Sequence, residues 1–203
     1  MSVKISKTNS KLGVIPSINL TPIASCRDNC PCSGDCYALK GRFRFQNVKN
    51  NMAANYAAYR EDPDTYFADI KREIDNGMVV YSYFRWHSAG DIVDMRYLQG
   101  MVDVANALNR TSFLAFTKKY ELVNEYIASG GVIPDNLHIV FSAWGNSLSV
   151  DNPNDFPVAY VRFGDEERDS SIPENASECS GKCTTCLQCW NLGRGESVVF
   201  NKH

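Results

Sequence analysis

The pattern of hydrophobic and polar positions predicts strands that alternate with helices. Apolar residues at helical spacing predict four helices, at 47–60, 62–74, 94–109 and 119–128. Runs rich in β-branched and aromatic residues predict strands. We place these strands at 14–20, 78–86, 112–117, 137–143, 158–163 and 197–200.

Alternating strands and helices favour a parallel sheet built from right-handed βαβ units. The predicted fold class is therefore α/β, either a partial (βα) barrel or an open, mainly parallel sheet of four to six strands. We interpret residues 1–203 as one domain, on which the cysteine-rich C-terminal segment 164–203 packs. Because functional residues of such folds follow the carboxyl ends of strands, we expect the cysteine-rich loops to meet at one end of the sheet.

Composition and charge narrow the function classes. The chain has 203 residues, of which 44% are hydrophobic and 22% charged, as expected for a globular domain. A formal net charge of -2 excludes a strongly basic protein that coats nucleic acid, and nucleic acid is not indicated as a partner. No run approaches the roughly 18 apolar residues of a membrane span, and the N-terminus is polar. We therefore expect no membrane partner and a cytoplasmic location.

Eight cysteines fall into two groups, each within eleven residues. They are Cys26, Cys30, Cys32 and Cys36 in the first group, and Cys179, Cys183, Cys186 and Cys189 in the second. Disulfides are rare in a reducing cytosol, where clustered thiols more often bind metal. Neither group has the long spacer between cysteine pairs that is typical of structural zinc sites, and the second reverses the spacing of a bacterial ferredoxin run.

We therefore predict two 4Fe–4S clusters, one per group, with zinc as the alternative for either. Ligand sets that cross between the groups are a further alternative, because two-cluster ferredoxins share cysteines in this way. Neighbouring cations are expected to offset the negative charge of the clusters. These are Arg27, Lys40, Arg42 and Arg44 beside the first group, and Lys182 and Arg194 beside the second.

Four polar residues follow or end predicted strands and are candidate site residues. Arg85 and Lys118 are each interpreted as a grip for a carboxylate or phosphate, or as a structural ion-pair partner. His87 is a candidate general acid/base or cluster neighbour, with a hydrogen-bonded structural histidine as the preferred interpretation. Asp91 either holds a ligand amine or caps the following helix; capping is preferred, because aspartate is common at that position.

Several segments together resemble the phage-encoded gene product 88 family. These segments are Cys36-Tyr37-Ala38, Phe84 to Asp91, Phe116 to Tyr120 and Cys186 to Trp190. The resemblance covers about residues 11–192 and extends, more distantly, to radical-SAM-like phage proteins. It implies a virus or mobile-element setting, hence the host cytosol, and an iron–sulfur partial barrel.

The radical-SAM resemblance also implies S-adenosylmethionine as a ligand. That superfamily carries C-x3-C-x2-C, which Cys26 and Cys30 begin, but the third position is Ser33. Asp91 stands where the superfamily places a carboxylate for the ligand amine. Two function hypotheses follow: a radical-SAM-like enzyme with a small-molecule substrate, or a non-catalytic iron–sulfur protein that transfers electrons to a redox partner or is structural. A zinc-binding structural protein is a third.

Overall fold

The computed structural model describes residues 2–76 and 81–202, which form a mixed α/β fold around an eight-stranded sheet. The strands are β1 (Ile5–Ser6), β2 (Ser17–Ile18), β3 (Tyr83–Trp86), β4 (Ser112–Thr117), β5 (Leu137–Ser142), β6 (Val158–Arg162), β7 (Ser177–Glu178) and β8 (Ser197–Asn201). The helices are α1 (Gln46–Glu61), α2 (Pro63–Ile74), α3 (Met95–Ala107), α4 (Tyr120–Ala128), α5 (Glu166–Asp169) and α6 (Cys183–Cys186). Short 3₁₀ turns lie at Ser33–Asp35, Tyr37–Leu39, Gly41–Arg44 and Gln188–Trp190.

The sheet is open and mostly parallel. Its strand order is β1-β2-β3-β4-β5-β6-β8-β7, and only the β1–β2 pair is antiparallel. The α/β prediction is confirmed in its open form, whereas the expected count of four to six strands is too low. The two edge strands β1 and β7, each of two residues, are too short for alternation to reveal them.

The four long helices lie within two residues of their predicted bounds. Asp62 caps α2 by accepting from Asp64 and Thr65, and Pro63 occupies the first turn, where a missing N–H costs nothing. Among the described residues, no helix is long and apolar enough to cross a membrane.

Predicted strands differ more from the structure. The strand predicted at 14–20 shrinks to β2, directly after Pro16. The one predicted at 78–86 is observed only as β3, and its residues 78–80 lie outside the described part of the chain.

Alternation along the strands gives the sheet two apolar faces. Phe84, Phe113 and Phe141 lie on the face covered by the four long helices, in the main hydrophobic core. Leu114, Val140 and Val198 lie on the opposite face, in a second core that Leu12, Ile15 and Trp190 cover. The second cysteine group packs on this second face, which places it across the sheet from the helices.

Gly100 lies inside α3, where glycine is normally unfavourable. A Cβ atom at this position would lie 2.1 Å from the Phe67 ring of α2. The glycine therefore allows α2 and α3 to pack closely.

Candidate functional site

The first cysteine group lies in the loop between β2 and α1. Consecutive 3₁₀ turns fold this loop: the Ser33 N–H donates to the Cys30 carbonyl at 2.9 Å, and the Leu39 N–H donates to that of Cys36 at 3.0 Å. Cys30 is buried and the other three thiols are partly buried. The Sγ atoms of Cys30 and Cys32 lie 3.2 Å apart.

The thiols of the first group influence one another's pKa values. Burial raises the pKa of Cys26 to about 11, and the charges of Asp91, Cys30 and Cys36 add to this effect. The hydrogen bond from Cys32 lowers the pKa of Cys30 to about 6, assisted by the positive charge of Lys118. The same hydrogen bond and burial raise the pKa of Cys32. The four thiols therefore share one neighbourhood with a buried carboxyl and a lysine.

The second cysteine group begins at the carboxyl end of β7 and continues along the second face of the sheet. The Cys179 N–H donates to the Val199 carbonyl at 3.0 Å, and the Cys183 N–H donates to that of Lys11 at 3.0 Å. Cys179, Cys183 and Cys189 pack against the second core, whereas Cys186 is exposed. Burial raises the pKa of Cys189 to about 12.

Trp190 anchors the end of this segment near the amino end of β4. Its Nε1 donates to the Ser112 carbonyl at 3.2 Å, and its ring packs edge-on against Tyr83 at 5.7 Å. The second group thus starts at the carboxyl end of the sheet but does not stay there, because the apolar residues around Trp190 pack on the second face.

Arg85 lies beside the second cysteine group and near Tyr37, which directly follows the first group. It is partly buried on β3, where its guanidinium stacks on the Phe116 ring at 4.1 Å and donates to the Trp86 and His87 carbonyls at 3.0 and 3.3 Å. Burial lowers its pKa, and the opposing charges are those of Tyr37, Cys189 and Cys183. In residues 2–76 and 81–202 no carboxylate forms an ion pair with Arg85, so its interpretation as an ion-pair partner of an aspartate is wrong.

Tyr37 joins the first group to the neighbouring loop. It directly follows Cys36, and its hydroxyl donates to the Ser88 carbonyl. Burial raises the pKa of Tyr37, and Arg85 opposes this effect.

Asp91 connects three loops that follow neighbouring strands. Its Oδ2 accepts the Lys118 N–H at 3.0 Å and its Oδ1 accepts the Ile92 N–H at 2.7 Å, while its own N–H donates to Ser25 Oγ at 3.3 Å. Burial raises the pKa of this carboxyl. The preferred interpretation of Asp91 as a helix cap is wrong: Asp94 caps α3, because its side chain accepts the Tyr97 N–H.

Two further contacts lock these loops together. Gly90 has φ +88°, and a Cβ atom there would lie 2.6 Å from Ser25 Oγ and 2.9 Å from Leu20 Cβ. Arg27 Nη1 donates to the Lys118 carbonyl at 3.1 Å, and its Nη2 pairs with Glu121 at 3.3 Å. The first cysteine loop is therefore packed against, and hydrogen-bonded to, the loops after β3 and β4.

Lys118 and Lys11 are the other cations beside the thiols. Lys118 Nζ donates to Ser142 Oγ at 2.8 Å, and its charge helps to lower the pKa of Cys30 and opposes the rise in the pKa of Cys32. Lys11 Nζ lies 4.2 Å from the centre of the Phe200 ring. Burial raises the pKa values of Cys183 and Cys189, and the charge of Lys11 opposes this rise. Neither forms an ion pair with a carboxylate in the described part of the chain.

Comparison with known families identifies the chain. The model of the family described as Gene product 88 matches residues 3–192. The chain belongs to the Gene product 88 family. No curated protein and no solved structure matches it. The family resemblance seen in the sequence is thus confirmed, and the match begins closer to the N-terminus than residue 11.

His87 of this Gene product 88 family member lies on the helix side of the sheet, away from the thiols. It is 2% exposed, and its Nε2 hydrogen-bonds the Tyr97 hydroxyl at 2.9 Å, which in turn bonds that of Tyr66 at 2.9 Å. Its buried Nδ1 has no hydrogen-bond partner among the described residues. Burial lowers the pKa of His87 to about 3, so the imidazole is neutral at physiological pH.

An open polar cleft of about 420 Å³ adjoins the first cysteine group. It is lined by Cys26 together with three cations, Arg27, Arg60 and Lys119, and two aspartates, Asp28 and Asp94. A second cleft of about 360 Å³ lies at the amino ends of β4 and β5, and no cysteine lines it. Of these two clefts, the first is the one that a thiol lines.

All eight cysteines are free thiols. Across the described residues, no three side chains of His, Cys, Asp or Glu converge where one metal ion would bind. Three residues of the site were not predicted from the sequence. Lys11 lies beside the second cysteine group, Tyr37 connects the first group to Ser88, and Ser25 accepts the Asp91 N–H. Only Tyr37 carried a signal, because it directly follows a cysteine.

Proposed function

We propose that this protein is an iron–sulfur redox protein with two 4Fe–4S clusters, ligated by the first and second cysteine groups respectively. The observation that carries the proposal is the set of cations beside the thiols. Lys118 faces the first group, whereas Lys11 and Arg85 face the second, and none of the three forms an ion pair with a described carboxylate. Partly buried cations without an anionic partner are costly.

The pKa values of Cys26, Cys32, Cys183 and Cys189 are all raised, so these thiols stay neutral and supply no negative charge. Cys30, whose pKa is lowered to about 6, supplies one negative charge beside Lys118. Four thiolates on an oxidised 4Fe–4S core leave about two negative charges. Two such clusters would carry about four negative charges, which is enough to offset the three cations and remove the cost of their unpaired charges.

The spacing of the cysteines along the chain favours a cluster over zinc, because neither group has the long spacer that is typical of structural zinc sites. One zinc ion requires four ligands that converge on a point. A cubane instead binds each thiolate through a different iron. Cys30 and Cys32, in contact at 3.2 Å, would separate as they bind different irons of one cluster. Zinc remains the alternative that metal analysis decides.

An enzyme and an electron carrier are the two forms of this proposal. In the enzyme form, which the distant radical-SAM resemblance favours, S-adenosylmethionine would bind at the first cluster, in the cleft beside Cys26. Asp91, expected from that resemblance to hold its amino group, does not line this cleft, and both its oxygens accept backbone N–H groups. When bound there, the cluster supplies one-electron chemistry. In the non-catalytic form, the fourth cysteine of each group completes ligation, and no iron remains open to a ligand.

Metal and sulfide analysis of anaerobically reconstituted protein tests the clusters. We expect about eight iron and eight sulfide ions per chain. Replacing either cysteine group with four serines should leave about four of each and a residual absorbance near 400 nm. Ser33→Ala is the matched control, because Ser33 occupies the third position of the radical-SAM spacing without a thiol, and its iron content should not change. About two zinc ions and no iron would overturn the proposal.

Adding S-adenosylmethionine to the reduced, reconstituted protein separates the two forms. A changed EPR signal with release of 5′-deoxyadenosine would establish an open iron and the enzyme form. An unchanged signal would leave the electron carrier or structural iron–sulfur protein.

A further inference from the structure

Residues 36–60 form a positively charged stretch, although the net charge of the whole chain is negative. Five basic residues and no acidic residue occur in this stretch, although the whole chain has a net charge of -2. The basic residues are Lys40, Arg42, Arg44, Lys49 and Arg60. The protein therefore has one strongly positive region on an otherwise acidic chain.

Most of this region is exposed. The 3₁₀ turn Gly41–Arg44 and the first turns of α1 form a continuous stretch in which nearly all side chains contact solvent. Lys40 pairs with Asp35 at 3.1 Å, but Arg42, Arg44 and Lys49 have no ion-pair partner in residues 2–76 and 81–202. We call the exposed residues between 39 and 51 the basic–aromatic surface.

Phe45 gives this surface an aromatic side chain in an unexpected position. It is the N-cap residue of α1, where Ser, Thr, Asp or Asn would satisfy a free backbone N–H, and it makes no capping hydrogen bond. It is also 60% exposed and belongs to none of the hydrophobic clusters of the described residues. An exposed phenylalanine that neither caps nor packs is available to contact a partner.

The solvent face of α1 adds side-chain amides. Gln46, Asn47, Asn50 and Asn51 are all exposed, and Gln46 bonds Asn50 at 2.8 Å. Amides donate and accept hydrogen bonds and pair with the edges of bases. A helix that lies on a membrane would need an apolar face in this position instead.

We propose that the basic–aromatic surface binds single-stranded nucleic acid. Arg42, Arg44 and Lys49 would contact phosphates, and Phe45 would stack on a base, which is the combination of charge and aromatic platform that single strands require. The basic stretch ends at Arg60, which lines the cleft beside Cys26, so a bound strand that follows α1 leads towards the first cysteine group. The surface does not depend on whether the cysteines hold iron.

Fluorescence anisotropy with labelled 20-mers of oligo-dT, oligo-U and duplex DNA tests the proposal, using the full chain with and without iron. We expect both single strands to bind more tightly than the duplex, with affinity falling as salt increases. Arg42→Ala/Arg44→Ala should weaken binding at least tenfold and reduce the slope of log affinity against log salt by roughly 1.4. Phe45→Ala should weaken binding about tenfold and leave the slope unchanged. A preference of oligo-dT over oligo-U, or the reverse, would identify which nucleic acid is bound.

Lys71→Ala/Arg110→Ala is the matched control. It removes two exposed positive charges from residues that lie towards the amino ends of the strands, outside the basic–aromatic surface, and should change affinity less than twofold. Circular dichroism and iron content, unchanged in Arg42→Ala/Arg44→Ala, would show that lost binding does not reflect misfolding or cluster loss. Equal binding of duplex DNA, displacement by poly-glutamate at equal charge concentration, or binding only to anionic phosphatidylserine vesicles would each overturn the proposal.

Discussion

The carboxylate of Asp91 accepts the backbone N–H of Lys118 at 3.0 Å, so one buried side chain joins the loops after β3 and β4 directly beneath the first cysteine group. Its other oxygen accepts the Ile92 N–H, and its own N–H reaches Ser25 in the cysteine loop. The position of the first cysteine group is therefore determined by contacts with residues that are distant in sequence.

Replacing Asp91 should loosen this junction. Asp91→Ala leaves the Lys118 and Ile92 N–H groups without their acceptor and should lower the free energy of unfolding by about 3 kcal/mol, whereas Asp91→Asn, which keeps one acceptor, should cost less. Urea unfolding measures both. Asp103→Asn, at an exposed position on α3 where the Gln99 side chain donates to Asp103, is the control and should change stability little. Wild-type stability in both Asp91 variants would contradict the role of this carboxylate.

Gly90→Ala tests the close packing of the same loops. The new Cβ would meet Ser25 Oγ at 2.6 Å and Leu20 Cβ at 2.9 Å, in a backbone conformation of φ +88° that alanine adopts poorly. We expect a loss of about 2–4 kcal/mol in the free energy of unfolding, measured in urea. Gly164→Ala has a similar φ of +77° with no atom within 4 Å of the new Cβ, and should cost only the backbone term of about 1 kcal/mol. Equal losses in the two variants would show that the contacts add nothing.

The alternating strands and helices of this fold could be predicted from the sequence, but the edge strands of the sheet could not. Helices such as α2 carry their own start signals, Asp62 and Pro63, so their bounds follow from local chemistry. The two-residue strands β1 and β7 have no such signal, because they form only when a neighbouring strand offers its backbone groups.

The candidate site likewise has some features that the sequence reveals and others that depend on the folded structure. The eight cysteines are visible as a pattern, but the cations beside them are not. Arg27 and Lys40, expected from their positions to offset cluster charge, pair instead with Glu121 and Asp35. The cations that face thiols, Lys11, Arg85 and Lys118, come from separate elements that only the folded sheet brings together.

His87 should make stability depend on pH. Its pKa in the folded protein is about 3, compared with 6.5 ordinarily, so below about pH 7 the unfolded chain takes up a proton that the folded protein does not. Stability from this residue is complete above about pH 7.5 and is lost as pH falls, by about 2 kcal/mol at pH 5. His87→Asn, which tolerates the positive φ of 54°, should lack this component.

Urea unfolding of both proteins between pH 5 and 7.5 isolates the effect, because all other titrating groups are common to them. Parallel pH profiles would mean that His87 is protonated in the folded state or reaches solvent.

Trp190 should decide whether the second cysteine group stays on the sheet. Trp190→Ala removes a side chain that is 2% exposed and should destabilise the protein by about 3–5 kcal/mol. Trp190→Phe keeps most of the packing, loses the hydrogen bond to Ser112, and should cost about 1 kcal/mol beyond the change in packing. If the second group holds a cluster, iron should fall to about half in the alanine variant alone. Full iron content there would show that this group does not need its anchor.

Arg85 should influence the second proposed cluster directly, because its charge acts on Cys183 and Cys189, and the first more weakly, because Tyr37 links it to that group. Arg85→Met removes the positive charge that Tyr37, Cys183 and Cys189 face, and so should stabilise the oxidised, less negative form of each cluster relative to the reduced form. We expect both reduction potentials to become more negative, on the order of 50 mV for the second cluster and less for the first, in an EPR-monitored redox titration. Arg85→Lys keeps the charge and should shift the potentials much less, although it loses the guanidinium group that stacks on the Phe116 ring. A shift of one potential only would place Arg85 beside a single cluster, and identical potentials in all three proteins would remove it from the electrostatics of the site.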